Sequence, residues 1–179
     1  EGFCNDTLNG FTTKNMNTII ASMQVNPVDD VILFYFIGHG SEDEKVFAPN
    51  LIFSDKNKNV DEIKQSILDK NARLSIIIAE ACNNGIEKTA FNIPTSDIQP
   101  AHTNVTTLNE KLCKEAFLDV RGESVMLSCN KKEFSYVDNN NGGIFTQGFV
   151  KAMQQALSND EHFIWNAVSN SIARNVENE

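Results

Sequence analysis

Apolar residues gather along the chain in three short, continuous runs: Val31 to Ile37 (VILFYFI), Leu74 to Ala79 (LSIIIA) and Val125 to Ser128 (VMLS). They are short and rich in β-branched or aromatic residues, the pattern of parallel strands covered on both faces. Between and after them the apolar positions switch to helical spacing. Lys14 to Val25 follows Thr13 as a cap, and Val60 to Lys70 opens on Asn59 with Glu62 at capping-box spacing. Thr107 to Leu118 sets Leu108, Leu112, Ala116 and Phe117 on one face. Phe145, Phe149, Val150, Met153 and Leu157 mark a further helix, and Asp160 starts a last one striped by Ile164, Val168 and Ile172. Strands alternating with helices predict an α/β fold with a mainly parallel sheet. The stretch NNGIEKTAFNIPTSDIQPAHTNVT, residues 83 to 106, breaks the pattern with two prolines and no sustained period. A run of that length is generally functional or disordered.

Composition narrows the classes. The chain has 179 residues, which fits one domain with a core that needs no staples. Its net charge of −9 argues against nucleic acid as a partner. No apolar run nears the roughly 18 residues that span a bilayer, so no membrane partner is expected. Cys4, Cys82, Cys113 and Cys129 form no C-x-x-C pair and no metal spacing. No metal site is therefore assigned, and a reducing, cytoplasmic compartment is the expectation, with an extracytoplasmic one left open.

The chemistry gathers where the strands end. Ligands of open parallel sheets bind outside the carboxyl ends of the strands. The first run ends in Gly38-His39-Gly40, the second in Glu80-Ala81-Cys82 and the third in Ser128-Cys129-Asn130. A single cysteine after a strand is usually a small buried hydrophobe, and a histidine between glycines is usually a turn residue. Here both sit at strand ends, 43 residues apart with one helix between them. If the two strands are neighbours, the imidazole can take the thiol proton and leave a competent thiolate. Bare backbone beside the histidine frees the Gly40 N–H for a developing oxyanion.

These residues resemble the caspase-fold cysteine peptidases, in particular the bacterial caspase-like and metacaspase branch. The family's apolar strand followed by S-G-H-G is matched by Phe34 to Gly40, and its strand followed by acidic-x-Cys by Ile76 to Cys82. Residues 115 to 153, with Gly-Gly-Ile-Phe-Thr before a helix, are similar to the family's small-subunit segment. The resemblance implies a three-layer caspase-like fold in a single domain over residues 1–179. It would comprise a large-subunit-like part (1–85), a linker (86–106) and a small-subunit-like part (107–179). It further implies a cysteine endopeptidase acting on peptide or protein substrates, with His39 as general acid/base and Cys82 as nucleophile. Gly40 and Cys82 N–H groups would form the oxyanion hole, and no third triad member is needed. Lys88 is a candidate for a processing cut in the linker, which could equally be a surface insertion.

For specificity, the resemblance places Glu80, Ser128, Glu133 and Tyr136 at the substrate and points to cleavage after Arg or Lys. Lys131 and Lys132 would oppose a basic side chain, a charge that Glu133 could offset, and preferences for acidic or small residues stay open. Phe134 and Tyr136 could wall the cleft or pack beneath it. The acidic run Glu42-Asp43-Glu44 reads as the solvated start of a loop. No cofactor is required; calcium is a possibility because some relatives need it and Asp55 to Asp61 has a calcium loop's odd-position oxygens. That stretch lacks the sixth-position Gly and has Ser66 at the twelfth, so a solvated turn before a capped helix is the simpler reading. His102, His162, Cys113 and Trp165 are read as structural. The family's first strand and helix are not matched, so a missing N-terminal segment or a processed partner chain is expected. The rival reading is an inactive caspase-fold scaffold or signalling module.

Overall fold

The computed structural model describes residues 11–85, 107–138, 142–159 and 161–176. In chain order the elements are α1 (Thr13–Ser22), β1 (Val31–Ile37), β2 (Gly40–Ser41), β3 (Asn50–Ile52), β4 (Asn57–Asn59), α2 (Val60–Leu68) and β5 (Leu74–Glu80). There follow α3 (Glu110–Phe117), β6 (Gly122–Leu127), β7 (Val137–Asp138), β8 (Gly142–Gly143), α4 (Ile144–Ser158) and α5 (Trp165–Val176). Lys88, His102 and the proposed linker lie outside the described residues.

The principal sheet is parallel, in the order β1-β5-β6. All seven residues of β5 are buried, as a central strand with an unbroken apolar sequence requires. Its side chains alternate between two cores. Ile77 and Ala79 join Met16 and Ile20 of α1, Ile63 and Ile67 of α2, and Ile32 and Phe36 of β1. Leu74, Ile76 and Ile78 pack instead with Leu112 and Ala116 of α3, Met153 and Leu157 of α4, and Val168 and Ile172 of α5. Helices therefore cover both faces, giving the three-layer α/β architecture expected of a caspase-like fold. Arg73, 4% exposed, ties the N-terminal ends of the strands together by donating to the carbonyls of Asp29, Phe117 and Val120. Three acceptors satisfy a guanidinium that would otherwise be costly to bury.

Three expectations are corrected. β1 reads as a strand covered on both faces, yet it is the outer strand among the described residues. Its Leu33, Tyr35 and Ile37 side chains are exposed on one face. The last helix starts at Trp165 rather than Asp160, because Glu115 of α3 holds the preceding residues out of the helix. Its carboxylate accepts from Phe163 N at 3.0 Å and lies 3.2 Å from His162 Nδ1. The cap of α1 is Thr12, whose hydroxyl accepts from Asn15 N, and not Thr13.

Thr13 has another task, and it bears on the calcium reading. Its backbone N–H and its hydroxyl both donate to Asp55, at 2.8 and 2.7 Å. Asn59 caps α2 by accepting from Asp61 N and donates to Ala48 O and Asn50 Oδ1. The first and fifth oxygens of the proposed loop thus fasten helices. The hydrogen bonds from Thr13, led by its backbone N–H, hold Asp55 down to about 2, against an ordinary 3.8. Because the folded value is the lower, Asp55's contribution to stability is complete above about pH 4 and is lost as pH falls towards 2. Asp55→Asn should lower the melting temperature at pH 7, and the gap to wild type should narrow as melts are repeated from pH 4 down to pH 2.

Candidate active site

The parallel register of β1 and β5 builds the site. The last pair is Ile37 with Glu80, and Gly38 N donates to Glu80 O at 3.1 Å. His39 and Cys82 each lie two residues beyond that pair. Both therefore follow the carboxyl ends of two adjacent parallel strands. His39 is exposed and Cys82 half-buried.

Residues beyond His39 turn into a small antiparallel sheet, β2-β3-β4. Ile52 N donates to His39 O at 3.0 Å, which makes Gly40 and Leu51 the following, non-hydrogen-bonded pair. The Gly40 N–H accordingly points away from β3 and towards residues 82–84. On that side Glu42 N, two residues on, donates to Asn84 O at 2.9 Å. Gly40 also presses on the stretch that carries Cys82. A Cβ there would sit 2.8 Å from Ala81 Cβ and nearer still to the Cys82 carbonyl oxygen. No residue with a side chain fits without moving backbone.

A second loop closes over the thiol. Cys82 Sγ accepts from Ser135 N at 3.4 Å and faces Ser135 O at 3.7 Å. This loop is pinned by an antiparallel bridge between Asn83 and Glu133, with Asn83 N donating to Glu133 O at 3.0 Å and Lys132 N to Asn83 O. Asn83 is fully buried and donates through Nδ2 to Phe47 O. Ser128 brackets the Ala81 peptide: its hydroxyl accepts from Ala81 N at 3.1 Å and lies 3.2 Å from Ala81 O. Cys129 Sγ donates to the same carbonyl at 3.0 Å. Burial pushes the Cys129 thiol up to about 11, against the pull of the Ser128 hydroxyl and with the help of nearby Cys82. A thiol so held is protonated at neutral pH and a poor nucleophile.

Glu80, expected on the Cys82 side, is turned to α4. Its carboxylate is 2% exposed and accepts from Phe145 N at 2.9 Å, Thr146 N at 3.1 Å and the Thr146 hydroxyl at 2.5 Å. The physical reason is the helix start: α4 is capped by Gly143, which has no side chain to offer, and its first N–H groups need an acceptor. Thr146 Oγ1 in turn lies 2.8 Å from the Tyr35 hydroxyl on β1. Burial raises the Tyr35 phenol above its ordinary value, Thr146 pulls it down, and the Glu80 charge raises it further.

Two further charges differ from expectation. Lys131 does not stand free against a basic substrate: its Nζ lies 3.7 Å from Glu42 and donates to Glu44 O at 3.0 Å. Glu42, for its part, is not solvated, with a side chain only 16% exposed. Glu133 is exposed, and its carboxylate accepts from Asn130 N at 2.7 Å. Tyr136 is 64% exposed and Phe134 45%, so neither ring packs under the cleft. Among the described residues no group of three or more His, Cys, Asp and Glu side chains could hold a metal ion, and no helix is long and apolar enough to cross a membrane. The residues missed from sequence are Ser135, Asn83, Gly143, Thr146 and Tyr35. The signal for one of them was present: a helix preceded by Gly-Gly must find its cap elsewhere.

Comparison with known proteins places the chain in a family. The family model for the caspase domain matches residues 1–178. A paracaspase of Dictyostelium discoideum is 26% identical over 152 residues, 82% of this chain. The chain spans about a third of that relative's length (32%). With a family model matched over nearly all its length, this chain belongs to the caspase-domain family of cysteine peptidases.

Proposed function

We propose that the chain is a cysteine endopeptidase that works through a His39–Cys82 dyad and cleaves after Arg or Lys. The observation that carries this reading is the β1–β5 register, whose last pair, Ile37 with Glu80, lies two residues before His39 and two before Cys82. In the reaction His39 takes the proton of the Cys82 thiol, and the thiolate attacks the scissile carbonyl carbon. The tetrahedral oxyanion is held by the N–H groups of Gly40 and Cys82. The C–N bond then breaks and the amine leaves with the proton from His39. Water, deprotonated by the same imidazole, attacks the thioester, releases the acid and returns the proton to sulfur.

The orientation of the Gly40 N–H towards residues 82–84 supports its place in the hole. For the basic preference the support is charge. Glu42, Asp43, Glu44 and Glu133 stand around the two loops, and the ion pair with Glu42 offsets Lys131. Tyr136 and Glu133 serve as the substrate-facing side chains, while Ser128 sets the Ala81 peptide from behind.

A peptide library varied at the cleaved position tests the reading, run beside iodoacetamide labelling mapped by mass spectrometry at pH 7.5. Cleavage after Arg and Lys, with Cys82 alkylated and Cys129 spared, is the expected result. Absence of cleavage together with an unreactive Cys82 would overturn the peptidase reading. Cleavage confined to acidic or small residues would overturn the specificity alone.

A further inference from the structure

We propose that Glu80 is a positioning residue, a buried carboxylate that fastens the loop facing Cys82 to the strand that carries Cys82. The inference rests on the peptidase reading and deepens it. Glu80 is the last residue of β5, two before the nucleophile, and three donors from the first turn of α4 converge on its carboxylate. Gly143, directly before α4, is packed so closely on that carboxylate that an added Cβ would fall inside it. Gly143 also belongs to β8, which pairs with Val137 of β7, and Ile144 N donates to Tyr136 O at 3.1 Å. Ser135 comes immediately before Tyr136 and contacts the thiol through its backbone. The chain of contacts runs from Glu80 through Gly143 and Ile144 to Tyr136 and Ser135, and so back to Cys82.

Thr146 makes the fastening two-sided. Its hydroxyl donates to Glu80 and lies against the Tyr35 hydroxyl, so that β1, which leads to His39, meets β5 at the same carboxylate. A carboxylate at an α-helix N-terminus is favoured by the unpaired N–H groups and the helix dipole, and burial strengthens both. A misplacement of about 1 Å at a reacting centre can cost roughly a hundredfold in rate. Glu80 acts through Ser135 and need not touch substrate.

The test uses the full chain with Glu80→Gln, Thr146→Val, Thr146→Ser and the double variant Glu80→Gln/Thr146→Val. Gln keeps Glu80's shape but loses one accepting oxygen; Val keeps Thr146's branching but loses its hydroxyl; Ser restores the hydroxyl. The expected result is a fall in kcat/KM of about 10- to 100-fold in Glu80→Gln and in Thr146→Val, near wild-type activity in Thr146→Ser, and a double variant little worse than either single one. The ratio of cleavage after Arg to cleavage after Leu should be unchanged throughout. Loss of that ratio in Glu80→Gln with Thr146→Val unaffected would make Glu80 a substrate-pocket acid and overturn the proposal. So would unchanged activity in both single variants. Should the wild type cleave nothing, the peptidase reading fails separately. The fastening is then read from hydrogen exchange at Ser135 and Ile144, which should quicken in both single variants and not in Thr146→Ser; unchanged exchange overturns it.

Discussion

Cys82→Ala is expected to abolish peptide cleavage, lowering kcat/KM by at least about a thousandfold, with the fold preserved. In the proposed reaction the Cys82 thiol is the group that attacks, and the neighbouring Cys129 thiol is not free to replace it. Cys129 is buried, held protonated and committed to the Ala81 carbonyl. The structural cost is small because the contacts of Cys82 Sγ with the Ser135 backbone are long, at 3.4 and 3.7 Å. Melting should therefore shift by no more than about 1 kcal/mol. His39→Ala should fall by a similar factor, and the double variant should fall no further, since two residues that act as a unit are not additive. Progress curves with a peptide ending in Arg, beside thermal melts, check both halves. A Cys82→Ala protein that still cleaves would remove the dyad.

The second large effect comes from a methyl group. Gly40→Ala is expected to cost about 1–3 kcal/mol in stability and roughly a hundredfold in kcat/KM. The added Cβ would meet Ala81 Cβ at 2.8 Å and the Cys82 carbonyl oxygen closer than that, and neither neighbour is the free end of a flexible side chain. Relief has to come from parting β2 from the Cys82 peptide, which moves both proposed oxyanion donors. Gly85→Ala is the control, because its Cβ would lie 3.8 Å from Glu42 Oε2, an ordinary contact. Chemical denaturation and steady-state kinetics should separate the two alanines. Equal tolerance of both would mean that the close approach of Gly40 has no part in the reaction.

Much of the fold is legible because its burial is extreme. β5 is buried along its whole length, so its sequence has no polar face and LSIIIA reads as a buried strand. The helices that pack on it carry apolar stripes. The small elements are illegible for a physical reason: β2, β3 and β4 have two or three residues each, too few for a period of two to register. Their pairing is fixed by tertiary contacts, such as Asn59 reaching Ala48 O. β6 begins with exposed Gly122 and Glu123, and its polar half hides the strand's start. At the site, His39 and Cys82 stand out because glycines and apolar runs frame them. Glu80 looks like a substrate contact from its distance to Cys82 along the chain. Its hydrogen-bond partners lie 65 and 66 residues away and leave no local mark.

The two lengths of chain that flank residues 86–106 are joined by more than that segment. β5 and β6 pair over six positions from Leu74–Gly122 to Ala79–Leu127, Asn83 bridges to Glu133, and Glu80 holds the start of α4. A single backbone cut within 86–106 would therefore leave one particle made of two interlocked fragments. They would migrate together in a native gel and part only in denaturant, with His39 and Cys82 on one fragment and the loop that covers the thiol on the other.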